Sequence, residues 1–242
     1  SSRVKSRVLE HRLVLTLFCT GETMRLTFVS TNQGKLDFLR IVLQPLLEEG
    51  VIDGIDMHAD LDLPEIQADN VAEICRAKAE AAFASLRRPL VVQDSGFAIA
   101  ALNGFPGPYT KYVMHTIGVD GILKLMEGNT DRRCGFTACV GYADQDGQVH
   151  VFEEPVTYFG RLMECRASAP EGKAVGSAWG SEAGSLFDVF VPSLDAPEDC
   201  AGLTLAEMTR EQLTNYRKHR NSAFKVFAHW FSEHCSEKAA AL

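Results

Sequence analysis

The sequence predicts an α/β fold: an elongated mixed β-sheet flanked by helices, with two lobes around a central cleft. Three observations predict it. Short apolar runs of strand type alternate with helical stripes through the first hundred residues. An antiparallel hairpin signal follows between residues 136 and 159. No repeat, low-complexity tract or polar linker cuts the chain into independent units.

Each element has its own warrant. Leu26-Thr27-Phe28-Val29-Ser30-Thr31 reads as a strand running into a loop. Residues 35–47 carry apolar side chains at 36, 39, 43, 46 and 47, the stripe of an amphipathic helix. Asn70, with Glu73 three residues on, is a capping-box variant that starts a second helix. That helix continues through Ile74, Ala77, Ala81, Ala82 and Leu86 toward Arg88. Leu90-Val91-Val92 follows as a short buried strand, bounded by Pro89 and the polar trio Gln93-Asp94-Ser95, so the order here is strand–helix–helix–strand. Residues 109–127 predict two short helices broken at Gly118. Residues 136–142 and 149–159 read as strands joined by the turn Asp144-Gln145-Asp146-Gly147, and residues 161–164 continue that antiparallel part. An irregular acidic loop at 192–202 and an amphipathic helix at 221–234 close the chain.

Composition narrows the partners. Lys plus Arg number 24 against 32 for Asp plus Glu, a net charge of −8, which argues against broad nucleic-acid or membrane binding. A phosphate ligand then needs local cations, a metal, or both. The seven cysteines are odd in number, scattered, and form no C-x-x-C pair, which fits a reduced, cytoplasmic setting. Cys134 and Cys139 read as small buried hydrophobes, and His229 and His234 as surface positions. Residues 1–24 read as an N-terminal extension, with an Arg-rich organelle presequence as the alternative. Their apolar run is too short to span a bilayer. The domain is expected over residues 25–235, with a tail at 236–242.

Several residues are badly placed for structure alone. Asp94 stands at the mouth of a buried strand, and ligands of open α/β sheets collect beyond the carboxyl ends of strands. Ser30-Thr31-Asn32-Gln33-Gly34-Lys35 joins the first strand to the first helix, where backbone N–H groups, the helix dipole and Lys35 would cradle a phosphate. Taken alone, a polar turn with an N-cap is the commoner reading. Glu65 lies in an apolar setting before the second helix, and Lys78 lies on that helix as a cation or as a snorkelling side chain.

Together these segments resemble the inosine triphosphate pyrophosphatase family. Its [ST]-x-N-x-x-K motif is similar to Ser30, Asn32 and Lys35, and its L-P-E-x-Q piece to Leu63-Pro64-Glu65-Ile66-Gln67. Its D-[ST]-G segment and L-x-G-x-P-G-x-Y loop are similar to Asp94-Ser95-Gly96 and the loop from Leu102 to Tyr109, with Lys111 two residues beyond. Its closing H-R pair is similar to His219-Arg220, so matches run in order across residues 26–231.

The resemblance implies hydrolysis of non-standard purine nucleoside triphosphates (ITP, dITP, XTP) to monophosphate and pyrophosphate. Ser30, Thr31, Asn32, Lys35 and Ser95 would hold the phosphates, with Lys78 and Lys111 adding charge. Glu65 and Asp94 would bind Mg²⁺, with Mn²⁺ as a substitute, and Asp94 or a neighbouring acid would prepare the attacking water. Phe187 and Asp188 would meet the base, and His219 and Arg220 would close over the ligand. A homodimer is also implied. Departures stand at the base-reading end. Ser185-Leu186-Phe187-Asp188-Val189 replaces Gly-[Trp/Phe]-Asp-Pro, Lys218 stands where Ser is usual, Thr214 where Lys is usual, and Asp37 near where Glu is commoner. Arg217 and Lys218 are the replacement charges nearest in sequence. These departures keep two alternatives in view: a pyrophosphatase with shifted base preference (pyrimidine or modified-base), and a nucleotide-binding protein without turnover.

Overall fold

The structure, a computed structural model, describes residues 24–64, 66–167 and 185–240. Its frame is an eight-stranded mixed sheet in the order β2-β1-β3-β5-β7-β8, with β4 beside β3 and β6 beside β5. The α/β fold expected from sequence is the one observed.

The first half is parallel. β1 (Met24–Val29) leads into α1 (Gln33–Glu48), which buries Leu36, Leu39, Leu43 and Leu46 along the predicted stripe. β2 (Ile52–His58) then pairs in parallel with β1, so the order is strand–helix–strand–helix–strand rather than the expected strand–helix–helix–strand. The reason is local. A register shift at its start puts Ile52 and Ile55, three apart, on the buried side, so the period-2 signature of a strand is absent. Asn70 caps α2 (Val71–Leu86) by accepting from the Glu73 amide at 2.9 Å.

β3 (Leu90–Ile99) is three times longer than expected. Only Leu90 and Val91 are in register with β1, whereas all ten residues are paired antiparallel with β5 (Arg133–Ala143). Gln93, Asp94 and Ser95 therefore sit mid-strand, where the parallel edge stops and the antiparallel one runs on. Beyond a 3-10 turn, β4 (Pro106–Gly107) folds back on β3. Next come α3 (Thr110–Thr116) and α4 (Gly118–Leu125), broken as expected at Gly118, whose φ of +63° suits glycine.

The second edge of β5 is shared. β6 (Val149–Glu153) covers residues 139–143, and β7 (Gly160–Leu162) covers only Arg133 and Cys134. The run expected to reach residue 159 stops early because Pro155 has no N–H to donate to a ladder. β8 (Phe190–Pro192) completes the sheet. α5 (Arg210–His219), which no expectation covered, opens on a capping box between Thr209 and Gln212. α6 (Ala223–Ala240) continues through most of the segment expected as a tail. Three buried clusters result: two on opposite faces of the parallel half, against α1 with α6 and against α2, and one under the antiparallel half. Residues 1–23, expected as an extension, lie outside the described residues.

Candidate active site

Lys35 is placed by the turn before it. The Ser30 hydroxyl oxygen accepts from the Asn32 amide at 3.1 Å, and Asn32 Oδ1 accepts from the Lys35 amide at 3.1 Å, fixing the start of α1. Lys35 Nζ then donates to the Gln93 carbonyl at 3.1 Å, which pins its charge against the middle of β3.

The two-residue period of β3 divides its polar trio between the faces of the sheet. Gln93 and Ser95 point to the α1 face, into the same cavity as Lys35. Asp94 points to the α2 face, where its Oδ2 meets Lys78 Nζ at 2.7 Å and its Oδ1 accepts from the Ser95 amide at 2.8 Å. Both side chains are largely buried, 18% and 16% exposed, so this pair is shielded better than a surface ion pair.

The cavity beside Lys35 encloses about 800 Å³, open solvent at its mouth included. It lies between α1, β3, β5, α5 and the start of α6. Phe38, Phe136 and Phe187 supply aromatic walls; Lys35, Arg217 and Arg220 supply cations; Glu154 is its acid. Arg217 lies over the Phe38 ring at 5.4 Å and Arg220 over Phe159 at 4.1 Å, contacts that hold both guanidinium groups. Arg220 Nη2 lies 2.6 Å from Glu154 Oε1, with side chains only 11% and 5% exposed. The two form a buried ion pair through this single contact, and Arg220 Nε on the cavity wall has no partner among the described residues. Gln93 Oε1 and the Tyr216 hydroxyl, also on this cavity, share that condition. Buried polar atoms are seldom left this way, and on a cavity wall they are open to a ligand or to water.

Electrostatics follow from burial. Burial pushes the Glu154 carboxyl above the usual range, against the opposing pull of Arg220 and of the Ala223 amide, which donates to Oε2 at 3.4 Å. Tyr216 is pushed up to about 12, again mainly by burial, and stays a neutral hydroxyl. Burial lowers Arg217 from its ordinary value, although Asp37 opposes the shift.

The expected site residues are thus distributed. Lys35, Ser95, Phe187 and Arg220 meet in one cavity, and Ser30, Thr31 and Asn32 form the turn that delivers Lys35 to it. Lys78 and Asp94 pair on the other face of β3. Lys111 is exposed on the first turn of α3, beside a second depression it shares with Gln67, Tyr112 and His115. Asp188 does not line the cavity; its Oδ2 accepts from the Ser185 amide at 2.8 Å and holds a turn that presents Phe187. His219 is exposed, and its Nδ1 donates to the Asn215 carbonyl at 2.9 Å. Glu65 lies outside the described residues.

Sequence reasoning missed Glu154, Gln93 and Tyr216. A signal for α5 was available: Leu213, Tyr216, Arg217 and Arg220 stand at helical spacing and all line the cavity.

Fold and cavity define the class: a mixed α/β protein with a cationic, aromatic-walled cleft suited to an anionic, ring-bearing ligand. The model of the Ham1 family matches residues 26–230, and the chain belongs to that family. It is 37% identical over 210 residues to a dITP/XTP pyrophosphatase of Methanopyrus kandleri, covering 86% of this chain and 96% of that one. It is 34% identical over 206 residues to inosine triphosphate pyrophosphatase 1 of Trypanosoma cruzi, covering 85% and 92%. In structure it is similar to the Ham1 protein of Staphylococcus aureus, with a TM-score of 0.63 at 21% identity over 87% of this chain and 99% of that one.

Proposed function

We propose that this protein hydrolyses non-standard purine nucleoside triphosphates (ITP, dITP and XTP) to the monophosphate and pyrophosphate, clearing them from the nucleotide pool. The observation that carries the reading is one cleft joining Lys35, at a helix N-terminus, to an aromatic wall with buried polar atoms that have no hydrogen bond. Relatives named for this activity support it at full length.

In this reading the amides of the Ser30–Lys35 turn and Lys35 bind phosphate oxygens, and Lys78 neutralises charge from the other face of β3. The Asp94 carboxylate takes a proton from the attacking water as the phosphoanhydride breaks and pyrophosphate leaves. Phe187 stacks on the base. Arg220 donates to its 6-oxo group. An adenine amino group there would set donor against donor and leave buried groups unpaired.

The donor set on the page fits a hard divalent cation. Asp94 offers carboxylate oxygens on the α2 face of β3, beside Lys78, and among the described residues no group of three or more His, Cys, Asp or Glu is gathered for a metal. Mg²⁺ commonly takes one or two carboxylates and fills its shell with substrate phosphates and waters. Asp94 would hold it, with Glu65 as second ligand, and Mn²⁺ would substitute; when bound it supplies phosphate charge neutralisation and a more acidic water. Arg217 lines the cavity and provides a cation that Thr214 does not, which favours retained turnover. A cytoplasmic homodimer completes the reading. The free thiols of Cys75, Cys134, Cys139, Cys165 and Cys200 support a reducing compartment, and sedimentation velocity tests the dimer.

The test is Asp94→Asn. It should lower the melting temperature by several degrees, because Lys78 loses its charged partner, yet leave the protein folded at assay temperature, and lower kcat at least 100-fold on ITP with Mg²⁺. A near-normal rate would remove Asp94 from the reaction.

A further inference from the structure

Glu154 stands where the fold leaves a gap. Its amide donates to the Ala138 carbonyl at 2.8 Å, one step past the end of β6, and Pro155 then turns the chain off the ladder before β7 begins. The carboxylate thereby drops into the cavity beside Arg220, at the first turn of α6.

A carboxylate kept only as a counter-ion for Arg220 would be expected to form the aligned two-pronged pair that guanidinium and carboxylate favour. Here the two meet through one contact, Arg220 Nη2 to Glu154 Oε1 at 2.6 Å, and Arg220 Nε has no partner among the described residues. Capacity remains on the cavity wall: a second lone pair at Glu154 Oε1 and a donor at Arg220 Nε. A donor beside an acceptor complements a ring carbonyl next to a ring N–H. Hypoxanthine and xanthine carry that edge. Adenine presents the reverse at both positions: an amino donor and a ring-nitrogen acceptor.

Resting on the nucleotide reading above, we infer that Glu154 is a base-specificity residue: its carboxylate accepts the ring N–H adjacent to the carbonyl that Arg220 takes. The 6-oxo purine edge is read by both residues together, and the Ser185–Asp188 turn contributes the stacking ring rather than the hydrogen bonds. Guanine and uracil share this edge, so the pair separates bases with a carbonyl there from those with an amino group, and not guanine from hypoxanthine or purines from pyrimidines. Cavity shape then sets the ring size.

The experiment compares ITP with 1-methyl-ITP, which keeps the 6-oxo group and loses the N–H. Wild type should prefer ITP by about 10- to 100-fold in kcat/KM, the usual worth of a hydrogen bond to a charged group. Glu154→Ala should bring that ratio close to one, mainly by raising KM for ITP. Glu154→Gln keeps the volume, and its amide can donate to adenine, so its preference for ITP over ATP should fall about tenfold. Melting temperatures of both variants establish folding, and calorimetric binding of IMP against 1-methyl-IMP reads the same ratio without turnover. Parallel losses on ITP and 1-methyl-ITP in Glu154→Ala would reduce Glu154 to a counter-ion and overturn the inference. An unchanged ratio in the folded variants would overturn it too, while wild-type turnover left the nucleotide reading standing. A wild type that neither hydrolyses nor binds these nucleotides would overturn both.

Discussion

Arg220 and Glu154 are costly residues in the free protein. Removing one partner of a buried pair strands the other, a loss of about 3–5 kcal/mol, whereas replacing both by apolar groups of similar size is often neutral or better. Arg220→Met should therefore destabilise by about that amount at pH 8 in urea melts. The loss should shrink as pH falls. The Glu154 carboxyl is already raised in the folded protein, and losing Arg220, which opposes that shift, raises it further, so the variant's fold takes up the proton more readily than the wild type's. Its favourable contribution is thus present at low pH and is lost as pH rises through the folded-state pKa. Arg220→Met combined with Glu154→Leu should restore stability to within about 1 kcal/mol of wild type while leaving ITP turnover undetectable. A loss that is the same at pH 5 and pH 8 would show that Glu154 takes up no proton there. Lys35, Phe187 and Arg220 were legible in the sequence because each lies in a short motif whose spacing is local. Glu154 was not, since its place depends on where β6 ends and β7 begins along β5.

At the scale of elements, the stripe of α1 and the cap of α2 could be read because both are period-and-neighbour signals. Asn70→Ala should cost about 1 kcal/mol, measurable by thermal unfolding, and a change near zero would mean the cap is replaced by water. β3 was read three residues long because its polar centre resembles a strand end. Its true length comes from ten rungs with β5, a long-range pairing that local patterning cannot register. That length has a steric consequence at Gly96, where a methyl group would sit 2.1 Å from the Gly107 carbonyl oxygen. Backbone must move to admit it, so Gly96→Ala should lower stability by about 3 kcal/mol or more and displace the β4 loop. A variant as stable as wild type would mean that the β3–β4 approach is looser than described. β2 and α5 escaped notice for opposite reasons: a bulge hid the period of the first, and the strongly polar surface of the second masked its stripe.

Over the whole molecule, two long strands, β3 and β5, run through both halves of the sheet, and three buried clusters hold the helices against them. The cavity lies on one face of the junction, and the Lys78–Asp94 pair lies on the other. Substrate phosphates would reach both past the edge of β3 that β1 leaves unpaired beyond Val91, so base reading on one face and phosphate cleavage on the other act on one ligand. The family and the α/β class could be read from ordered motifs, whereas the division of the site across the sheet follows from strand register alone. The most direct test of this account is product analysis. Incubated with Mg²⁺ and ITP, dITP, XTP, ATP, GTP, UTP or dTTP, the protein should release pyrophosphate and the monophosphate, from ITP, dITP and XTP well ahead of ATP. Orthophosphate as the main product, or ATP turned over as readily as ITP, would contradict it.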